Sequence, residues 1–344
     1  MSPAIETAQL TKRFAPFRPW GVRLRRRDAQ AITAVDRVTI SVPEGELLAI
    51  VGPNGAGKTT LVKMLCTLIA PTAGEAAVGG HPLSRARHVR KVIGLAGSDE
   101  RSFFWRLTGR ENLRFFAALH ALHGARADKR IADFLHELGL DECADEPVSR
   151  YSAGQKQRLS LARALLHRPK VLFLDEPSRS LDPRATRQLH GLIQQLRRSH
   201  GTTVLLTTHR LDEAEALADR VAIMDRGRIL ALDSPDRLRG LLSPRVRLHV
   251  RASPLPADWA SSWQPTWGHV TTRFDAGQTH ITVATDDEEA TLPRLIQLLT
   301  AAGATIYHVS QERPSLEEVF HHLMDAQARE VGDRDEAASG VPEA

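Results

Sequence analysis

The stretch Gly52-Pro53-Asn54-Gly55-Ala56-Gly57-Lys58-Thr59-Thr60 leaves this chain few folds to choose from. It fits the phosphate-binding pattern G-x-x-x-x-G-K-[ST], and its flanks fit as well. Before it, Glu46-Leu47-Leu48-Ala49-Ile50-Val51 reads as a short buried strand. After it, Leu61, Met64, Leu65, Leu68 and Ile69 are apolar at helical spacing. The glycines let the backbone wrap closely around a phosphate chain, where any Cβ would collide or strain φ. Backbone N–H groups at the helix start face the anion, helped by the helix dipole. Lys58 is expected to reach the β- and γ-phosphates, and the Thr59 hydroxyl to hold Mg²⁺.

A second strand end carries the complementary chemistry. Val171-Leu172-Phe173-Leu174 is a buried run that ends in Asp175-Glu176-Pro177. Ligands of open α/β sheets bind at the carboxyl ends of strands, which is where Asp175 falls. Asp175 is expected to hold Mg²⁺, and Glu176 to orient and deprotonate an attacking water. Ser178 to Pro183 is a turn into a helix with Leu189, Leu192, Ile193 and Leu196 inward. Thr203 to Thr207 is another buried strand, and His209 falls just beyond its end, on the face expected to carry the γ-phosphate.

Between these motifs, Thr108 to Arg168 reads as helical throughout. Tyr151-Ser152-Ala153-Gly154-Gln155-Lys156-Gln157-Arg158 opens one of these helices, with Ser152 a natural N-cap. The segment after the first helix reads as a second βαβ-like stretch ending near Val92-Leu95. Residues 5–14 and 32–42 alternate like two strands of an antiparallel layer. The run between them holds Arg23, Arg25, Arg26 and Arg27. It is either a solvated loop or a surface for anionic headgroups or an acidic partner.

The chain has 344 residues, which suits two domains. Its net charge of +5 permits an anionic partner without naming one. No segment approaches the ~20 apolar residues of a membrane helix. The first residues contain Glu6 and lack an apolar core, so no signal peptide is expected, and a cytoplasmic location is. Cys66 and Cys143 lack metal-ligand spacing and are expected as free thiols.

Taken in order, these motifs resemble the nucleotide-binding subunits of ATP-binding cassette transporters, over about residues 5–235. The family signature, usually LSGGQ, is matched by Tyr151-Ser152-Ala153-Gly154-Gln155. The dimer-facing loop is matched by Ser180-Leu181-Asp182, the switch histidine by His209, and the adenine-stacking aromatic by Phe14. The resemblance implies an α/β fold: a P-loop NTPase core with an antiparallel β subdomain and a helical signature subdomain. It also implies an ATPase using ATP and Mg²⁺, with Glu176, His209 and Lys58 catalytic. Nucleotide contacts are implied for Phe14, Gly52 to Thr60, and Ser152, Gly154, Gln155 and Asp182 of a second copy. The expected partners are that copy and a separate transmembrane permease, at the inner face of the cell membrane. The sequence departs from the family pattern after Ile93-Gly94-Leu95: the usual glutamine is missing, and Ser98 or Asp99 takes its place, with Glu100 beside it. Asp99 is the expected replacement metal contact, and hydrolysis is expected to survive. Phe103, Phe104 and Trp105 are either core or a groove for a partner's cytoplasmic helix.

From Ser243 the pattern changes to a small α+β domain over residues 243–328, after an ATPase domain over 1–242. The tail, 329–344, is acidic and small-residue-rich and is expected to be disordered. Ser-Leu-Glu-Glu-Val-Phe at 315–320 is similar to drug- and antibiotic-exporting cassettes, which points to export. The alternative is a soluble cassette ATPase acting on nucleic acid or the ribosome. No coiled-coil heptad run or second cassette supports it, so no nucleic acid is expected. A phosphate-loop kinase would leave the signature without a use.

Overall fold

The computed structural model describes residues 3–15, 31–97, 103–242, 246–255 and 270–339. The chain divides into two units, Met1–Ser234 and Pro235–Ala344. In the first, β1 (Ile5–Phe14) and β2 (Ile32–Val42) run antiparallel, with Ile5 opposite Val42 and Phe14 opposite Ile32. β3 (Leu47–Val51) is buried along its whole length and enters α1 (Lys58–Leu65) through the glycine-rich turn. β4 (Ala73–Val78) and β5 (His81–Pro82) return to the antiparallel layer, whose strand order is β2-β1-β4-β5. α2 (Ala86–Val92) leads into β6 (Ile93–Gly97).

This corrects the βαβ reading after α1. β4 pairs with β1, and only β6 joins the parallel sheet. A parallel strand must be buried on both faces. β4 is Ala-Gly-Glu-Ala-Ala-Val, and only Val78 in it is buried.

α3 (Gly109–Leu119), α4 (Gly124–Glu137) and α5 (Ala153–Leu165) make up the helical segment. It is not helical throughout. Gly139 in left-handed conformation and Pro147 break it, with short 3₁₀ turns at Asp141–Cys143 and Val148–Arg150. β7 (Val171–Asp175), α6 (Pro183–His200), β8 (Thr203–Thr208), α7 (Leu211–Leu217), β9 (Arg220–Asp225) and β10 (Arg228–Asp233) complete the unit.

The core sheet has the order β10-β9-β3-β8-β7-β6. All its neighbours are parallel except β10, which lies antiparallel to β9. Leu48, Ile50, Phe173 and Leu205 of the sheet pack with Leu61, Met64 and Leu65 of α1. β3, β8 and β7 are adjacent, and their registers align: Val51 lies opposite Thr208, and Asp175 opposite Thr207. Three carboxyl ends therefore meet at one rim.

The second unit holds α8 (Pro235–Arg239), β11 (Val246–Ala252), β12 (Val270–Asp275), β13 (Gln278–Thr285), α9 (Glu288–Ala301), β14 (Ile306–Glu312) and α10 (Leu316–Ser339). Its antiparallel sheet, β12-β13-β11-β14, buries Val246, Leu248, Val250, Ile281 and Val283 against Leu295 and Leu299 of α9. Ala276 and Gly277, both at positive φ, join β12 to β13, as a tight hairpin requires. The composition change at Ser243 falls after α8, which already belongs to this unit. α10 runs from Leu316 as far as Ser339, and the residues after it lie outside the described residues. Among the described residues, no helix is long and apolar enough to cross a membrane. Cys66 and Cys143 are free and buried, and burial pushes the Cys66 thiol pKa up.

Candidate functional site

The turn from β3 into α1 is shaped by contacts that exclude side chains. A Cβ on Gly52 would stand 2.1 Å from the Met224 carbonyl oxygen, and one on Gly57 2.1 Å from that of Ala34. Gly57 also takes φ 105° as the N-cap of α1. The Gly227 N–H donates to the Ala56 carbonyl at 2.8 Å and pins the turn from the other side. The loop is thus held by β2 and by the β9–β10 hairpin.

Lys58 Nζ donates to the carbonyl oxygens of Gly52 at 2.7 Å and Pro53 at 3.0 Å. Burial lowers the Lys58 pKa, while Glu176 and Asp175 pull it back up. Thr59 Oγ1 donates to Asp175 Oδ1 at 3.1 Å, and Thr207 Oγ1 donates to the same oxygen. The next residue, Glu176, sits at φ 50° and donates its N–H to the Thr207 carbonyl. A non-glycine residue held at positive φ turns its side chain out of the strand alternation. That points Glu176 Oε1 at His209 Nδ1, 3.5 Å away, and Oε2 at Arg179 Nη1, 3.7 Å away. A cavity of about 270 Å³ is lined by Ala34, by Asn54 to Thr60, and by Asp175, Glu176 and Arg179. A larger cavity, about 820 Å³, opens beside the antiparallel sheet. Its only ionisable lining residues are Glu6 and Glu75, so it offers a phosphate no cation.

The signature residues form a separate place on the same unit. Ser152 Oγ accepts the Gln155 N–H at 3.2 Å, and Gln155 Oε1 accepts the Ser152 N–H at 2.8 Å. This reciprocal capping box starts α5 and engages the Gln155 side chain. Asp182 caps α6 by accepting from the N–H groups of Arg184 and Ala185. Ser152, Gly154, Gln155 and Asp182 line a cavity of about 340 Å³ that shares no residue with the phosphate-loop cavity. The chain therefore brings Lys58, Thr59, Asp175, Glu176 and His209 together, but does not bring its own signature to them.

Phe14 ends β1, exposed, with Lys12 Nζ 5.2 Å from its ring centre, and it does not line the phosphate-loop cavity. Asp99, with Ser98 and Glu100, lies outside the described residues. The aromatic cluster is divided. Phe103 is buried, stacked edge-on with Phe116 under the Arg163 guanidinium. Phe104, Trp105, Phe115 and Leu119 are exposed, with Lys156 Nζ 5.0 Å from the Trp105 ring centre.

Sequence reasoning missed Arg179, the Thr207 hydroxyl and the Ala34 backbone. Only Thr207 left a signal, as a buried hydroxyl beside Thr208 at the carboxyl end of a strand whose middle is apolar.

Residues 35–179 match the family described as "ABC transporter", and residues 234–324 match "ATP-binding protein DrrA1-3-like, C-terminal domain". The daunorubicin resistance ATP-binding protein DrrA3 of Streptomyces coeruleorubidus is 38% identical over 84% of this chain and 90% of its own length. The daunorubicin/doxorubicin resistance ATP-binding protein DrrA of Streptomyces peucetius is 36% identical over 89% and 93%. Among solved structures, cbiO1 from Clostridium perfringens, described as part of the ABC transporter complex cbiONQ, superposes with a TM-score of 0.60. It is 25% identical and covers 70% of this chain and 92% of that one.

Proposed function

This chain belongs to the ATP-binding cassette transporter family as one of its ATPases, and on that premise we propose that it powers export of a drug-like compound through a separate membrane permease, as a head-to-tail homodimer. The observation that carries the proposal is the separation just described. Lys58 and Glu176 line one cavity, Ser152 and Gly154 another, and no residue lines both. A nucleotide held by the phosphate loop is completed only by the Ser152 turn of a second copy, whose helix N-terminus faces the γ-phosphate.

Each residue has a defined part. The backbone N–H groups after Gly55 and the Lys58 ammonium hold the β- and γ-phosphates. Thr59 Oγ1 and Asp175 Oδ1, 3.1 Å apart, are hard oxygen donors of the kind Mg²⁺ takes. Magnesium held there would neutralise phosphate charge. Glu176, oriented by His209 and Arg179, accepts the proton of the attacking water. His209 is placed to contact the γ-phosphate and report its loss.

The drug-like cargo rests on the relatives named for daunorubicin resistance. The exposed Phe104, Trp105, Phe115 and Leu119 are the apolar surface offered to a cytoplasmic helix of the permease. The test is the mass in solution of a Glu176→Gln chain with Mg²⁺-ATP. We expect a dimer that reverts to single chains when nucleotide is removed. A chain that stays single, alone and with its permease, refutes the proposal.

A further inference from the structure

α6 and α7 are joined at a point that the site described above does not use. Glu213, on α7, is fully buried. Its Oε1 meets His190 Nε2 of α6 at 3.1 Å. Its Oε2 has no hydrogen-bond partner. The Thr186 hydroxyl, one turn before His190 on α6, is also buried and unpartnered. A second link lies further along, where Gln194 Nε2 donates to the Ala216 carbonyl at 3.0 Å. Both links advance in sequence together, so the two helices run side by side in the same direction.

Both helix starts belong to the nucleotide machinery. α6 begins at its cap Asp182, and α7 begins just after His209. The His190–Glu213 link lies about 12 Å along α6 from Asp182, by the rise of a helix, and Glu213 is in the first turn of α7, which starts two residues after His209. α6 is also tied to the signature helix, since Arg158 Nη2 of α5 donates to Gln188 Oε1 at 2.7 Å. α6 is thus a strut, with the signature helix held on one contact and the His209 helix on another.

A buried carboxylate with a spare oxygen is a poor way to stabilise a fold, because apolar residues of similar size do as well or better. We infer that Glu213 and His190 are positioning residues. Their hydrogen bond fixes α7 against α6, and so holds His209 at the height where it meets Glu176 and the γ-phosphate. The inference rests on the reading of His209 given under Proposed function.

The test uses the full chain and its Mg²⁺-dependent ATPase kinetics. The apolar pair Glu213→Leu with His190→Leu is expected to unfold at or above the wild-type temperature. It is expected to lose about tenfold in kcat, with KM for ATP within about twofold, as a displaced catalytic contact requires. Glu213→Gln keeps an acceptor for His190 and is expected to stay within about threefold of wild-type kcat. A stable apolar pair with wild-type kcat overturns the inference, and so does a Gln variant as slow as that pair. Should the apolar pair unfold, His190→Leu and His190→Gln in wild-type and His209→Ala chains read the same link. Only the leucine should lower kcat, and only where His209 is present; any other pattern overturns the inference. A wild-type chain without turnover would instead sink the reading of the site itself.

Discussion

A Cβ built on Gly57 would stand 2.1 Å from the Ala34 carbonyl oxygen, in a backbone held at φ 105°, whereas one built on Gly154 would meet nothing nearer than the Ala185 Cβ at 3.7 Å. The first glycine is required by its own chain. The second is not, and in the proposed dimer the space it leaves is where the partner's nucleotide comes. Gly57→Ala should therefore destabilise the ATPase unit by about 2 kcal/mol or more, from positive-φ strain and the clash together. It should also abolish nucleotide binding. Gly154→Ala should move stability by no more than about 0.5 kcal/mol, because a helix start tolerates alanine there. It should nevertheless prevent Mg²⁺-ATP from dimerising the Glu176→Gln chain. Thermal unfolding and solution mass on the two variants check both halves. Equal stability losses would mean that Gly154 serves the fold.

At the level of elements, the ends of α3 and α5 meet the start of β6 through two stacked imidazoles. The rings of His120 and His167 stack with centroids 3.9 Å apart and planes nearly parallel, and His167 Nε2 contacts the Ile93 carbonyl at 2.7 Å. Burial, then the neighbouring His120, lowers the His167 pKa from 6.5 to about 4, although the Ile93 carbonyl opposes this. A histidine whose folded pKa is depressed is harder to protonate folded than unfolded. Its contribution is complete above the unfolded value of 6.5 and is lost as pH falls toward about 4. The ATPase unit should therefore weaken steadily through that window, and His167→Asn should flatten this part of the stability curve. Denaturant melts of both chains between those limits decide it. The elements themselves were unequally legible. β3 and the first four residues of β7 announce themselves as unbroken apolar runs, and β8 as a buried run of valine and leucine between threonines, because both their faces are covered, and the Ser152 cap is a local pattern. β4 and β12 are small, polar or covered on one face, and they take their pairing from neighbours that a sequence does not name. The same division holds in the site. The phosphate loop and Asp175-Glu176 are contiguous, whereas Arg179 on Glu176 and His190 on Glu213 depend on how separate elements are set against each other.

For the whole molecule, the two cavities imply a property that no single chain can have. If each nucleotide lies between the phosphate loop of one chain and the Ser152 turn of its partner, two differently broken chains can repair each other. A Lys58→Ala chain keeps a sound capping box but holds no triphosphate. A Ser152→Asp chain keeps Lys58, and its aspartate still caps α5, since aspartate is among the favoured caps. It sets a carboxylate against the γ-phosphate, however, where like charges repel. Either chain alone should have almost no Mg²⁺-dependent turnover. Mixed in equal amounts, half of the dimers should pair one of each. Each such dimer has one site with both faults and one with neither, because the intact Lys58 of one chain meets the intact Ser152 of the other. The mixture should recover up to about a quarter of wild-type turnover, with half the dimers mixed and one of two sites working in each. Recovery should follow the random pairing expected of a symmetric dimer. If the mixture is no more active than its two components, each chain completes its own site, and the separate cavities have been misread.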